Sequence, residues 1–251
     1  MTEAKVVFGF LDALLGASAD ADYPGALNGL QVEGPSRVSR VAVAVDASEE
    51  VIQGAVAEGA QLLLVHHGLF WDPERRVTGR RFRKLQALLS GGTALYSSHL
   101  PLDRHPDVGN GALLLRSLGL EPAHPFGFWK DLPVGWAADT ALDLNTLVER
   151  VALTLQDEVQ VIRGGPATVA RVAVVTGAGA SFLEEAAREG IDTLITGEAP
   201  HHAFHDAKEL GVNLVLAGHY RTETLGVKAV AERLEQRFGL SWVFLDHPSG
   251  L

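Results

Sequence analysis

Short apolar runs alternate with amphipathic stretches along most of the chain, the pattern of strands buried on both faces between crossover helices. The apolar runs predict strands over Val41–Val45, Gln61–Val65, Ala94–Ser98, Val172–Thr176, Thr193–Thr196 and Asn213–Ala217. Apolar positions at helical spacing predict helices over Glu49–Glu58, Arg81–Leu89, Phe182–Glu189, Phe204–Leu210 and Gly226–Arg237. The fold class is therefore α/β.

An internal repeat organises these elements. Residues 40–68, RVAVAVDASEEVIQGAVAEGAQLLLVHHG, align without a gap to residues 171–199, RVAVVTGAGASFLEEAAREGIDTLITGEA. A second pair, ALYSSHLPLD (94–103) and LVLAGHYRTE (214–223), repeats at a shorter offset, and a longer connector in the first half absorbs the difference. Both members of that pair read as a strand, then His, then an acid four positions later. Self-similarity of this kind marks duplicated supersecondary units. We expect two similar α/β lobes, residues 1–119 and 169–251, interlocked with a functional site between them. Residues 120–168, rich in Pro and Gly and with one helix near Leu144–Leu155, read as a small α+β bridging segment.

Composition narrows the chemistry. Hydrophobic residues make up 47% and charged residues 21%, as in an ordinary globular protein. Without cysteine, disulfides, thiolate ligands and cysteine nucleophiles are excluded, so any metal must be held by His and carboxylate. With 21 basic and 31 acidic side chains the net charge is −10, which argues against a broad nucleic-acid surface and favours a small-molecule or nucleotide substrate. The basic run Arg75, Arg76, Arg80, Arg81 and Arg83 reads as a solvated helix face. The apolar runs are too short to span a bilayer, and the N-terminus lacks the features of a secretory signal. A cytoplasmic protein with no membrane association is expected.

In open α/β sheets, functional groups gather beyond the carboxyl ends of the strands. His66 and His67, His99 and Asp103, Glu198, and His219 and Glu223 all follow predicted strand ends, at matched places in the two halves. Gly68 suggests that the first of these strands has ended, so that both adjacent rings can turn inward. Independent solvated charges have no reason to recur in this way, so the pattern points to a metal site. His/carboxylate ligation suits Zn, Mn, Fe, Co or Ni, and paired ions roughly 3.5 to 4 Å apart serve hydrolysis. Asp46 reads either as a support for the site or as a cap to the helix beyond Ser48. Thr222 reads as a helix cap, His105, His124 and His247 as solvated, and His201, His202 and His205 as candidates to line a pocket.

The segments NGLQVEG (28–34), LLLVHHGLFW (62–71), SSHLPLD (97–103), GNG (109–111), ITGE (195–198) and AGHYRTETLGV (217–227) carry a further signal. Through them the chain resembles the NGG-interacting-factor-three-like family, whose bacterial members are called type 2 homologues of GTP cyclohydrolase I. The resemblance implies a dinuclear metal centre with two divalent ions per subunit, in a toroidal homohexamer. By motif match His67 and Asp103 bind one ion, His66 and His219 the other, and Glu223 bridges them, with His99 and Glu198 nearby. It also implies a metal-dependent hydrolase acting on a nucleotide-like substrate, with GTP cyclohydrolase as the named version. A metal-binding or regulatory protein without catalysis is the alternative.

Overall fold

The structure is a computed structural model that describes residues 1–16, 22–71 and 75–250. The chain opens with β1 (Thr2–Glu3) and α1 (Ala4–Leu15), followed by β2 (Gly29–Val32), β3 (Arg37–Val38) and β4 (Arg40–Asp46). Then come α2 (Glu49–Ala57), β5 (Leu62–His67), α3 (Gly79–Gly91), β6 (Ala94–Ser97) and the short helix α4 (Leu100–Asp103). The middle of the chain forms α5 (Asn110–Ser117), β7 (His124–Trp129), β8 (Leu132–Asp143), α6 (Leu144–Leu155), β9 (Gln160–Ile162) and β10 (Thr168–Val174). It continues through α7 (Leu183–Arg188), β11 (Thr193–Thr196), α8 (Ala203–Leu210), β12 (Asn213–Leu216), α9 (His219–Thr222), α10 (Thr224–Phe238) and β13 (Ser241–Phe244).

These elements form two compact units, Met1–Leu102 with Val227–His247, and Asp103–Gly226 with Pro248–Leu251. The first is built on a five-stranded sheet of order β13-β4-β5-β6-β2, in which all pairings are parallel except β2 with β6. Every residue from Val41 to Val45 and from Leu62 to His66 is buried, as continuous apolar runs predict for strands covered on both faces. Helix α2 starts where Ser48 Oγ accepts from the Val51 amide at 3.1 Å, and Glu49 and Glu50 in its first turn suit the helix dipole. Its apolar face, Val51, Ile52 and Ala55, packs with Leu63, Val65, Leu88 and Leu95 in one core. Burying a leucine such as Leu63 fully contributes about 1.5–3 kcal/mol.

The second unit holds a six-stranded mixed sheet of order β7-β8-β10-β11-β12-β9. Strands β10, β11 and β12 run parallel, and β8 and β9 flank them antiparallel. Each unit thus contains three parallel strands in sequence order, β4-β5-β6 and β10-β11-β12. These are the strands that the repeat aligns, a pattern consistent with an internal duplication.

The unit boundaries differ from the expected 119/120 and 168/169. Residues 120–168 are integral to the second sheet: β8 pairs with β10 from Thr168↔Asp143 to Val174↔Trp136, and β7 pairs with β8 in turn. Their prolines fit because Pro125 lies on the edge strand β7 and Pro133 near the start of β8. Gly135 is required because a Cβ there would collide with the Val174 carbonyl. At its far end the chain leaves the second unit along α10 and adds β13 beside β4, with Ser241↔Arg40 in register. Among the described residues no helix is long and apolar enough to cross a membrane.

Candidate metal centre

In the first unit, strand β5 delivers both adjacent histidines. It does not stop at Val65 as expected but runs on to His67, with Asp46↔His67 still in register. Gly68 therefore does not serve to turn the rings. A Cβ at that position would strike the Gln31 side-chain amide, whose Oε1 accepts from the Leu69 amide at 2.8 Å. The two rings lean to opposite neighbours: His66 Nδ1 lies 3.0 Å from the Ser98 carbonyl oxygen, and His67 Nδ1 lies 2.8 Å from Asp46 Oδ1. Asp46 thus contacts a candidate ligand, and Ser48 caps α2.

His99, just beyond β6, completes this group. Its Nδ1 lies 2.9 Å from Oδ1 of Asp22, a carboxylate only 1% exposed. Asp22 also accepts from Asn28 Nδ2 at 2.9 Å and from the Leu100 amide at 3.1 Å. Burial disfavours its ionised form, but the contact with His99 and the hydrogen bonds from Asn28 and the Tyr23 amide outweigh this and hold the carboxyl below its ordinary value. One potential ligand atom from each of His66, His67 and His99 lies within 4.8 Å of the others, so this group could hold a metal ion.

In the second unit, Asp103 is 5% exposed, and its Oδ1 accepts from Asn110 Nδ2 at 2.8 Å and Thr176 Oγ1 at 3.1 Å. Asn110 is fixed in turn, since its Oδ1 accepts from the Gly226 amide at 2.7 Å. His219 opens α9, with Nδ1 2.8 Å from Glu198 Oε1 and Nε2 3.2 Å from Glu223 Oε1. The Glu223 carboxylate, with Glu198 on the other side of the ring, pushes the His219 imidazole up to about 9 against the opposing effect of burial. A metal ion at Nε2 would have to displace that proton.

The four histidines share one arrangement. Each Nδ1 faces an oxygen that can only accept, a backbone carbonyl for His66 and a carboxylate for His67, His99 and His219. Nδ1 therefore carries the proton, and in the neutral ring the lone pair sits on Nε2. Metal-binding histidines are oriented by this kind of outer hydrogen bond.

The Duf34/NIF3 (NGG1p interacting factor 3) family matches the chain over residues 3–249. The chain belongs to the Duf34/NIF3 family. It is 43% identical over 232 residues to a "GTP cyclohydrolase 1 type 2 homolog" of Deinococcus radiodurans, covering 91% of this chain and 88% of that one. It is 42% identical over 255 residues to a protein of the same name from Pyrococcus abyssi, covering 99% and 100%. The crystal structure of a Thermus thermophilus protein superposes with a TM-score of 0.92 at 41% identity, covering 100% of both chains.

Several supporting residues of this Duf34/NIF3 chain are not evident from its sequence. Asn28 lies in the NGLQVEG segment, and its Oδ1 accepts from the His99 amide at 2.8 Å. Asn110 is the centre of GNG. Asp22 and Thr176 carry no local signal. Thr222 is not simply a cap, because its hydroxyl accepts from the Gly177 amide at 3.1 Å and donates toward the Gly218 and His219 carbonyls. Of the remaining histidines, His202 lines a cavity of about 590 Å³ with Glu184, Glu198 and Asp206. His201 and His205 are exposed, with ring centroids 6.1 Å apart. His105 is half-buried and, contrary to expectation, has a structural part: its Nδ1 accepts from the Asp107 and Val108 amides at 3.0 and 3.2 Å.

Proposed function

We propose that this chain binds two divalent metal ions and uses them to hydrolyse a nucleotide-like substrate. In this reading His67 and Asp103 hold one ion, His66 and His219 hold the other, and Glu223 bridges them. The observation that supports it best is the shared anchoring of His66, His67 and His219 through Nδ1, which leaves Nε2 of each to meet an ion. The donor set, imidazole nitrogen and carboxylate oxygen without thiolate, fits Zn, Mn, Fe, Co or Ni. Ions bound there would polarise a substrate group and activate water for hydrolysis. Asp46, Asp22 and Glu198 orient the rings, while Asn110 and Thr176 fix the Asp103 carboxylate. The relatives named GTP cyclohydrolase 1 type 2 homolog make ring opening of GTP the first specific reaction to test.

The same reading places the chain in a cytoplasmic toroidal homohexamer, on the strength of the family motifs. Light scattering at micromolar concentration should give a mass near six subunits, and a stable monomer would remove this part of the proposal.

The chemistry is tested by offering GTP, nucleoside monophosphates, dinucleotides and short oligonucleotides to metal-loaded protein and identifying products by mass spectrometry. Turnover should track metal occupancy and vanish in Glu223→Ala. Formate with a ring-opened or pterin product identifies a cyclohydrolase, and release of phosphate or cleavage of a phosphodiester identifies a broader hydrolase. Full metal occupancy with no turnover on any of these substrates would put metal storage or regulation in place of catalysis.

A further inference from the structure

Beside the histidines of the first unit is a cavity of about 350 Å³ whose lining is unusual for this protein. Among the described residues that line it, five of nine are cations, Arg75, Arg76, Arg80, Arg81 and Lys84, and none is acidic. In a chain of net charge −10, five cations around one cavity form a locally basic site. Arg75, Arg76, Arg80 and Arg83 are exposed, as expected of a solvated face, and Arg81 is half-buried. Arg75 and Arg76 precede α3, Arg80 and Arg81 lie in its first turn, and only Arg83 faces elsewhere, its Nε and Nη2 donating to Glu49 at 2.8 and 2.9 Å.

The local electrostatics favour an anion. The N-terminus of α3 has no acidic residue in its first turn and no side-chain cap from Thr78, which also lines the cavity. Cations in a first helical turn oppose the helix dipole, and an anion seated among them would relieve that repulsion and accept from the first amides. Burial and the neighbouring Arg80 guanidinium push the Lys84 ammonium below its ordinary value against the opposing pull of the Glu49 and Asp46 carboxylates, and its Nζ donates to the Ala47 carbonyl at 2.6 Å. Arg81 is held in place with its guanidinium 4.9 Å from the Phe70 ring centroid.

The remaining wall connects the cavity to the candidate ligands. Trp71 Nε1 donates to the Gly68 carbonyl at 2.8 Å, which fixes the indole. Its ring centroid is 5.7 Å from that of His67 and 4.7 Å from that of His99, edge-on to the latter. A ligand whose phosphate sits among the guanidinium groups therefore has an aromatic surface leading to the imidazoles.

We propose that this cavity is a phosphate pocket that anchors the substrate, so that the site acts on phosphorylated small molecules such as nucleotides in preference to nucleosides or free bases. Arginine pairs grip phosphate oxygens in bidentate fashion, and Trp71 provides a stacking face for the attached ring system. The proposal rests on the reading that substrate is processed beside His66, His67 and His99, but the binding step can be measured without turnover.

The test is calorimetric titration of metal-loaded protein with pyrophosphate, GMP, guanosine and a short single-stranded oligonucleotide. GMP should bind at least tenfold more tightly than guanosine, pyrophosphate should compete with it, and both should weaken with added salt. The double variant Arg80→Glu, Arg81→Glu should weaken GMP at least 30-fold with unchanged metal content. Arg80→Gln, Arg81→Gln should give a smaller loss in the same direction if charge reversal disturbs folding. Equal affinity for guanosine and GMP, no effect of either double variant, or affinity that rises with oligonucleotide length well above that of GMP would overturn the proposal. GMP binding at this pocket with no turnover of any nucleotide substrate leaves the pocket standing and removes the hydrolase reading. Nucleotide hydrolysis with unchanged KM in the double variants does the reverse.

Discussion

Gly177→Ala is expected to lower metal affinity about 10- to 100-fold while leaving a folded protein, the range typical when the support of a metal ligand is removed. Gly177 lies in the turn just beyond β10 with φ +65°, where a side chain is strained by about 1–2 kcal/mol. The strain is the smaller effect. A Cβ at this position would collide with Glu223 Oε1 and come within 3.1 Å of His219 Nε2, the two atoms proposed to meet an ion. The backbone cannot yield easily, because the Gly177 amide donates to Thr222 Oγ1 and its carbonyl accepts from the Gly197 and Glu198 amides at 2.8 and 3.0 Å. Gly211→Ala separates the two effects: Gly211 has φ +72° and no atom within 4 Å of a built Cβ. Chelator competition and thermal melting should show a similar loss of stability in both variants, and a loss of metal in Gly177→Ala alone. Equal metal affinity in the two variants would contradict this account.

The same position shows how much of the site could be read from the sequence. The repeat aligns Gly177 with Asp46. In the first unit that strand end supplies a carboxylate to His67, and in the second it leaves room for Glu223 beside His219. Recurrence at strand ends exposed the imidazoles and acids because they lie within a few residues of apolar runs. The groups that orient them were hidden by distance along the chain: Asp22 meets His99 across 77 positions, Asn28 meets the His99 amide across 71, and Thr176 meets Asp103 across 73. No local pattern encodes such pairs.

The fold divides similarly. The parallel strands were legible because burial on both faces leaves an unbroken apolar run. Helix α6 was predicted at its observed bounds, Leu144–Leu155, where the Asp143 carboxylate accepts from the Asn145 and Thr146 amides. Strands β7 and β8 were missed because Pro125, Pro133 and Gly135 are turn residues by local chemistry. Edge placement and the close approach of Val174 make them strand residues here.

The second large effect concerns the two acids. Glu223 is 3% exposed and lies 3.2 Å from His219 Nε2, while Asp103 is held by Asn110 and Thr176. If Glu223 bridges two ions and Asp103 serves one, Glu223→Ala should deplete both ions and Asp103→Ala mainly one, and nucleotide turnover in Glu223→Ala should fall below detection. Stability should change less in Asp103→Asn, which keeps the side chain's shape, than in Asp103→Ala, which leaves the buried Asn110 and Thr176 donors without their acceptor.

Anomalous scattering from crystals of metal-reconstituted wild-type protein, with data on either side of the metal's absorption edge, tests the central claim most directly. The account predicts two peaks per chain, one at His67 and Asp103, the other at His66 and His219, each within bonding distance of Glu223. A single peak, or peaks that touch none of these residues, would contradict it.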